Sequence, residues 1–192
     1  MILYKQTPSQ TVGPYFAYGL TPEQYRYEFS SIADENLLGD DTPNQPIRIV
    51  GQVIDGAGVP IPDAMIELWQ PDASGAFASV YQKGQFKGFG RVGTGTDAQH
   101  RFIFETIKPG SVEGQAPHIN VIVLMRGLLT HAYTRLYFSD EVEANAQDAV
   151  LNSVPADRQN TLIAQRTEEF GKVVYRFDIH MQGDNETVFF DV

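Results

Sequence analysis

Cysteine is absent from all 192 residues, which excludes disulfide cross-links, thiolate metal centres and cysteine nucleophiles. Any metal on such a chain needs nitrogen and oxygen ligands. No apolar run approaches the roughly 18 residues of a membrane-spanning helix, and Met1-Ile2-Leu3-Tyr4-Lys5-Gln6 lacks the basic and apolar regions of a secretory leader. The expectation is a soluble, cytoplasmic protein. Basic residues are the minority, 14 Lys and Arg against 24 Asp and Glu for a formal charge of −10. That balance opposes the phosphate neutralisation on which nucleic-acid affinity depends, so neither nucleic acid nor membrane is an expected partner.

What is abundant is apolar and aromatic. A hydrophobic content of 42%, with 12 Phe and 9 Tyr, argues for a folded core and against disorder, and the length suits a single domain over residues 1–192. From Pro46 onward short alternating runs dominate. In Ile47-Arg48-Ile49-Val50-Gly51-Gln52-Val53-Ile54 the odd positions share one face, the pattern of a strand with a core side. Asp55-Gly56-Ala57-Gly58 carries turn chemistry, and Ala64 to Trp69 reads as an antiparallel partner strand. Further strands are predicted at Arg101 to Ile107, His118 to Met125, Ala132 to Phe138, Val173 to His180 and Glu186 to Val192. Seven strands without a βαβ rhythm predict an all-β fold, a two-sheet antiparallel β-sandwich over 46–192. Short helical excursions are predicted at Asp140 to Leu151 and Pro155 to Arg166. The aromatic-rich residues 1–45 read as an extended N-terminal arm lying on an apolar surface, either this chain's own sandwich or another subunit.

Six collinear segments resemble the intradiol ring-cleaving dioxygenase family. They are Thr7-Pro8-Ser9-Gln10-Thr11-Val12-Gly13-Pro14-Tyr15-Phe16, Ile66-Glu67-Leu68-Trp69-Gln70, Gly88-Phe89-Gly90-Arg91, Thr106-Ile107-Lys108-Pro109-Gly110, Ala116-Pro117-His118-Ile119-Asn120 and Thr134-Arg135-Leu136-Tyr137-Phe138. The C-terminal Val174 to Ile179 and Glu186 to Asp191 are similar to the alpha chains of its protocatechuate branch. The resemblance implies a hetero-oligomer with a homologous catalytic beta chain that holds ferric iron. It implies a reaction that inserts both atoms of O2 into a dihydroxybenzoate, turning protocatechuate into 3-carboxy-cis,cis-muconate.

The same resemblance implies a ferric site of two tyrosinates and two histidines, hard oxygens that stabilise Fe(III) with imidazoles that complete the shell. Position by position, this chain departs from it. Gly75-Ala76-Phe77 places Phe77, a ring without the oxygen, where the first tyrosinate belongs. Lys108-Pro109-Gly110-Ser111-Val112 places Val112 where the second belongs. The histidine pair is His-x-His, whose spacing puts both rings on one face of a strand, and His118-Ile119-Asn120 keeps only His118. One ligand of four does not retain iron, so no metal is expected on this chain, and His118 is expected to be a core or interface histidine. An unorthodox site built from Tyr81, or from Tyr133 with His131, is the competing arrangement.

For substrate contact, the resemblance points to Thr11, Gly13, Pro14 and Tyr15, a turn that Gly13 and Pro14 allow to press on a flat ring. It also points to Arg126, whose guanidinium suits a substrate carboxylate; a solvated loop charge is the other reading of that residue. Arg91 and Arg135 are expected to be structural. A non-enzymatic β-sandwich binding or adhesion module stands as the alternative function.

Overall fold

Strand β1 (Pro46–Ile54) is organised as its alternation demands: Ile47, Ile49, Gly51 and Val53 are all buried, with Arg48 and Gln52 on the wetter side. Residues 16–40, 42, 45–78 and 84–192 are described by the structure, a computed structural model. At Gly51 the core is closed so tightly that a Cβ would sit 1.8 Å from the Phe177 carbonyl oxygen and 2.5 Å from the Phe102 ring.

β1 does not fold back on β2 (Met65–Trp69), contrary to the hairpin expected from the turn between them. The Asp55 turn closes on itself, with Gly58 N–H donating to Asp55 O at 3.0 Å and Ile61 N–H to Val53 O at 2.8 Å. Pro60 and Pro62 have no N–H with which to extend that ladder, and the chain passes to the other sheet instead. There β2 lies between β3 (Phe89–Gly93) and β5 (His118–Leu124), and β5 pairs β6 (Ala132–Phe138), all antiparallel. The second layer runs β7 (Ile163–Glu169), β8 (Lys172–Arg176), β1, β4 (Arg101–Ile107), with the short β9 (Ile179–His180) beside the end of β1. Ile49, Phe104 and Tyr175 from this layer share one core with Ile66, Leu68, Val121 and Leu136 from the other.

The layers are not wholly antiparallel as expected. β1 pairs β8 and β9 in parallel, and β6 joins β7 in parallel through Tyr137–Ile163 and Phe138–Ala164. A parallel pair needs a long crossover, and the one between β6 and β7 holds α2 (Val142–Gln147), α3 (Ala149–Ser153) and the 3-10 turn Gln159–Leu162. Those elements meet the first helical expectation. The second fails, because Pro155 to Arg166 gives only that turn before β7 begins: Ile163 and Ala164 are drawn into the β6 ladder, where Ala164 is fully buried. Glu186 to Val192 is likewise no strand, meeting the sheet at a single Phe190–Tyr133 bridge.

The described part of the arm lies on this chain's own sandwich. After α1 (Phe16–Leu20) and a 3-10 turn at Glu23–Tyr25, residues 34–37 cross the open side where edge strands β3 and β4 face each other. Arg91 N–H donates to Asp34 O at 2.9 Å and Glu105 N–H to Glu35 O at 3.0 Å, so adjacent arm carbonyls serve different sheets. Leu37, fully buried, enters the core between them. Both edges are thereby capped against pairing with another chain.

Candidate functional site

Alternation along β5 sends Ile119, Val121 and Val123 into the core and leaves His118, Asn120 and Ile122 on the outer face. The ladder sets Trp69 of β2 and Arg135 of β6 on either side of Asn120, and Tyr137 beside His118. Two loops reach the same end of this face. Gly110 N–H donates to Asp72 O at 2.9 Å, and a Cβ on Gly75 would sit 2.2 Å from Ser111 O, so the Phe77 and Val112 loops are in contact. Phe77 then packs on Trp69 with ring centroids 4.7 Å apart. Val112 closes a turn with Gln115 N–H donating to its carbonyl at 2.8 Å, and Gln115 Oε1 accepts from Arg135 at 2.7 Å. The fold therefore brings the Phe77 and Val112 loops to the end of the face that bears His118 and Asn120.

Their chemistry does not fit ferric iron. Phe77 and Val112 offer no donor atom. Asn120, 7% exposed, has its amide oxygen engaged by the Tyr133 phenol, which donates at 2.5 Å. His118 Nδ1 is 2.8 Å from the Ala116 carbonyl; a carbonyl only accepts, so Nδ1 carries the proton. Burial holds His118 below the usual imidazole range, leaving a neutral ring that packs against Tyr137 at 5.6 Å between centroids. This is the packed, hydrogen-bonded histidine the sequence suggested. Among the described residues no group of three or more His, Asp or Glu is arranged to hold a metal ion. Of the competing set, Tyr81 lies outside the described residues, and Tyr133 faces Ile122, four residues along β6 from the Tyr137 that flanks His118.

The turn Thr11, Gly13, Pro14 and Tyr15 also lies outside the described residues. Arg126 follows the far end of β5, some 20 Å along the strand from His118 at about 3.3 Å per residue. It pairs with Asp63 at 2.8 Å while its side chain stays 62% exposed. Arg91 is structural as expected, in a mostly buried ion pair with Glu67 at 2.7 Å. Arg135 is also held by this chain's own side chains, though by hydrogen bonds and not by an ion pair among the described residues: it donates to Gln115 at 2.7 Å and to the Tyr137 hydroxyl at 3.4 Å, with Tyr133 a further partner.

One group was missed by the sequence reading. Asp148, fully buried, accepts from Ala116 N–H and Leu151 N–H at 2.8 Å each and from the Tyr137 hydroxyl at 3.2 Å. It thereby caps α3 and fastens the loop before His118 to the crossover. Burial pushes the Tyr137 phenol up to about 12. An Asp just ahead of the short helical run Ala149–Ser153 was the available signal.

Comparison with known proteins places the chain in a family. Residues 13–183 fit the family model described as Dioxygenase. This chain belongs to the dioxygenase family. It is 56% identical, over all of both chains, to the protocatechuate 3,4-dioxygenase alpha chain of Burkholderia cepacia. It is 44% identical to that of Pseudomonas putida, with 98% of each covered. The Burkholderia cepacia beta chain is 29% identical, covering 80% of this chain and 72% of that one. Among solved structures, the dioxygenase domain of a carbohydrate-binding fusion from Streptomyces sp. SirexAA-E superposes with a TM-score of 0.62 at 25% identity, covering 96% of this chain and all of that one. As a family member the chain thus shares the fold of the dioxygenases.

Proposed function

We propose that this chain is the alpha subunit of an intradiol dioxygenase that cleaves protocatechuate with O2 to 3-carboxy-cis,cis-muconate. Ferric iron is held by a homologous beta chain and not by this one. The observation that carries the reading is the set Phe77, Val112, His118 and Asn120, which keeps one imidazole and no phenol oxygen, in a chain matching an alpha chain end to end. That end-to-end match supports the enzyme subunit over a non-enzymatic binding module. We read the protein as soluble and cytoplasmic, folding as one domain; no helix among the described residues is long and apolar enough to cross a membrane.

In this reading Thr11, Gly13, Pro14 and Tyr15 form one wall of the beta chain's substrate pocket. Arg126 supplies a guanidinium for the substrate carboxylate, with the partner chain providing the desolvation that a half-exposed side chain lacks alone. The contribution to rate is orientation, which in the best cases lowers a barrier by roughly 7 to 11 kcal/mol.

The test is co-expression with a beta chain carrying both tyrosines and both histidines, followed by oxygen uptake with protocatechuate. The complex should be active, and this chain alone inactive. In the complex, Arg126→Gln should raise KM for protocatechuate and leave that for catechol unchanged. A beta chain that alone shows the same rate and the same preference for the carboxylated ring would overturn the reading.

A further inference from the structure

The hairpin between β7 and β8 ends in a residue that suits neither its backbone nor its surroundings. Glu169 pairs with Lys172 across the turn, so Phe170 and Gly171 are its two central residues, with φ of 51° and 76°. Positive φ at both positions makes a type I′ turn, which Asn-Gly or Asp-Gly forms without strain and a bulky side chain does not. The Phe170 ring is also fully exposed, at 106%. An exposed apolar side chain by itself is ordinary; one held in a strained conformation at a hairpin tip points to a use. Beside the tip, Gly171 stands on the rim of a cavity of about 400 Å³. Leu38, Pro46 and Ile47 line it together with the Arg48–Glu105 ion pair. Such a space suits a phenyl ring, with apolar carbon to pack on and a guanidinium for the ring face. This chain's own Phe170, being fully exposed, does not fill it. Where a knob and a hole lie side by side on one surface, a two-fold axis passing between them seats each copy's knob in the other's hole.

We propose that the tip of the β7–β8 hairpin is a self-association surface, with Phe170 of each copy of this chain seated in the cavity beside Gly171 of the other. The adjacency of knob and hole is what favours a second copy, since an unlike partner would need only one of the two. Two exchanged rings and the walls they cover bury roughly 600–1,000 Å², short of the roughly 1,200 Å² of a stable complex. The contact is therefore weak and reversible for the free chain, with a Kd on the order of 0.1–1 mM. It strengthens wherever several copies are held in one assembly, through their effective concentration. The proposal does not rest on the subunit reading.

Sedimentation of the full-length chain from about 10 µM to about 1 mM brackets that range. The weight-average mass should rise reversibly from monomer towards dimer. Phe170→Asn removes the ring and supplies a residue at ease in the left-handed region. It should weaken the dimer by roughly tenfold or more, while the melting temperature stays level or rises. Ile32→Asn removes an equally exposed apolar side chain from the arm, 99% exposed, and should leave the dimer unchanged. A chain that stays monomeric at about 1 mM overturns the proposal, as does a dimer that persists in Phe170→Asn. If the free chain is monomeric and Phe170→Asn instead weakens assembly with the beta chain, the knob belongs to the unlike partner and the second-copy assignment falls. Since self-association is read without beta chain or turnover, its failure leaves the subunit reading standing, and the reverse holds too.

Discussion

Tyr133 donates its phenol hydrogen to the amide oxygen of Asn120 across β5 and β6, at 2.5 Å. The position that would hold a second imidazole is therefore occupied by a closed side-chain pair, and restoring a ligand there means freeing it. Changing Phe77→Tyr, Val112→Tyr and Asn120→His together, with Tyr133→Phe to release the pair, should yield a chain that takes up ferric iron. A visible tyrosinate-to-iron absorption band and metal analysis near one iron per chain are expected. Uptake no greater than in the unsubstituted chain would mean that Phe77, Val112, His118 and Asn120 are not the remnant of a metal site.

Stability should depend heavily on Asp148. Removing the Tyr137 hydroxyl with Tyr137→Phe deletes one of three hydrogen bonds to a buried carboxylate and should cost about 1–3 kcal/mol. Asp148→Ala strands two buried backbone N–H groups and the phenol, and should cost more than Tyr137→Phe in urea unfolding. Equal costs would show that solvent replaces the carboxylate. The phenol's rise from 10.0 to about 12 adds an alkaline signature: its contribution is complete below pH 10 and is lost as pH climbs through 12.

His118 sets a signature at the acid side. Burial lowers its folded value below the ordinary 6.5, so the unfolded chain takes up the proton first. Stability attached to the neutral ring is complete above pH 6.5 and is lost as pH falls through the lowered folded value. Unfolding free energies measured downward from pH 7.5 should therefore decline just below 6.5, and His118→Gln should flatten that decline. Asp97, held far below the carboxylate range by its hydrogen bond from Arg101, acts only in much stronger acid and does not mask the effect. An unchanged slope in the variant would place the titrating group elsewhere.

At the centre of β1, Gly51→Ala should destabilise by about 3 kcal/mol or more. Its methyl would meet a backbone oxygen, the Phe177 carbonyl at 1.8 Å, which cannot swing aside as a side chain would. A thermal melt would read this as a drop of several degrees, roughly 2–4 °C per kcal/mol for a chain of this size. A melting temperature within a degree of the parent would mean that β8 and β9 shift freely over β1.

Much of the strand content was legible because period-two alternation writes burial into the chain: β4 and β6 occur at the residues expected, Arg101–Ile107 and Ala132–Phe138. β3 and β7 escaped. Phe89-Gly90-Arg91-Val92-Gly93 is short and glycine-rich, and β7 has mostly polar or exposed residues after Ala164, so neither carries a strong local pattern. That Phe77, Val112 and Asn120 carry neither a phenol oxygen nor an imidazole was readable as residue types, since it is a matter of covalent composition. Their assembly on one face was not.

The sequence by itself determined which positions have a buried face, which breakers end them, and that Phe77, Val112 and Asn120 cannot serve as tyrosinate or imidazole ligands. Tertiary structure decided the pairing. β1 chose β4 and β8 over its sequence neighbour β2, β6 joined β7 in parallel, and the end of a segment expected to be helix, Ile163 to Arg166, became strand. It also decided that Asn120 is closed by Tyr133, that Arg126 rests on Asp63, and that Arg135 is left without a carboxylate among the described residues. The reason is physical: alternation specifies which side of a strand is apolar, and the choice of partner depends on backbone groups and packing surfaces far apart in the chain.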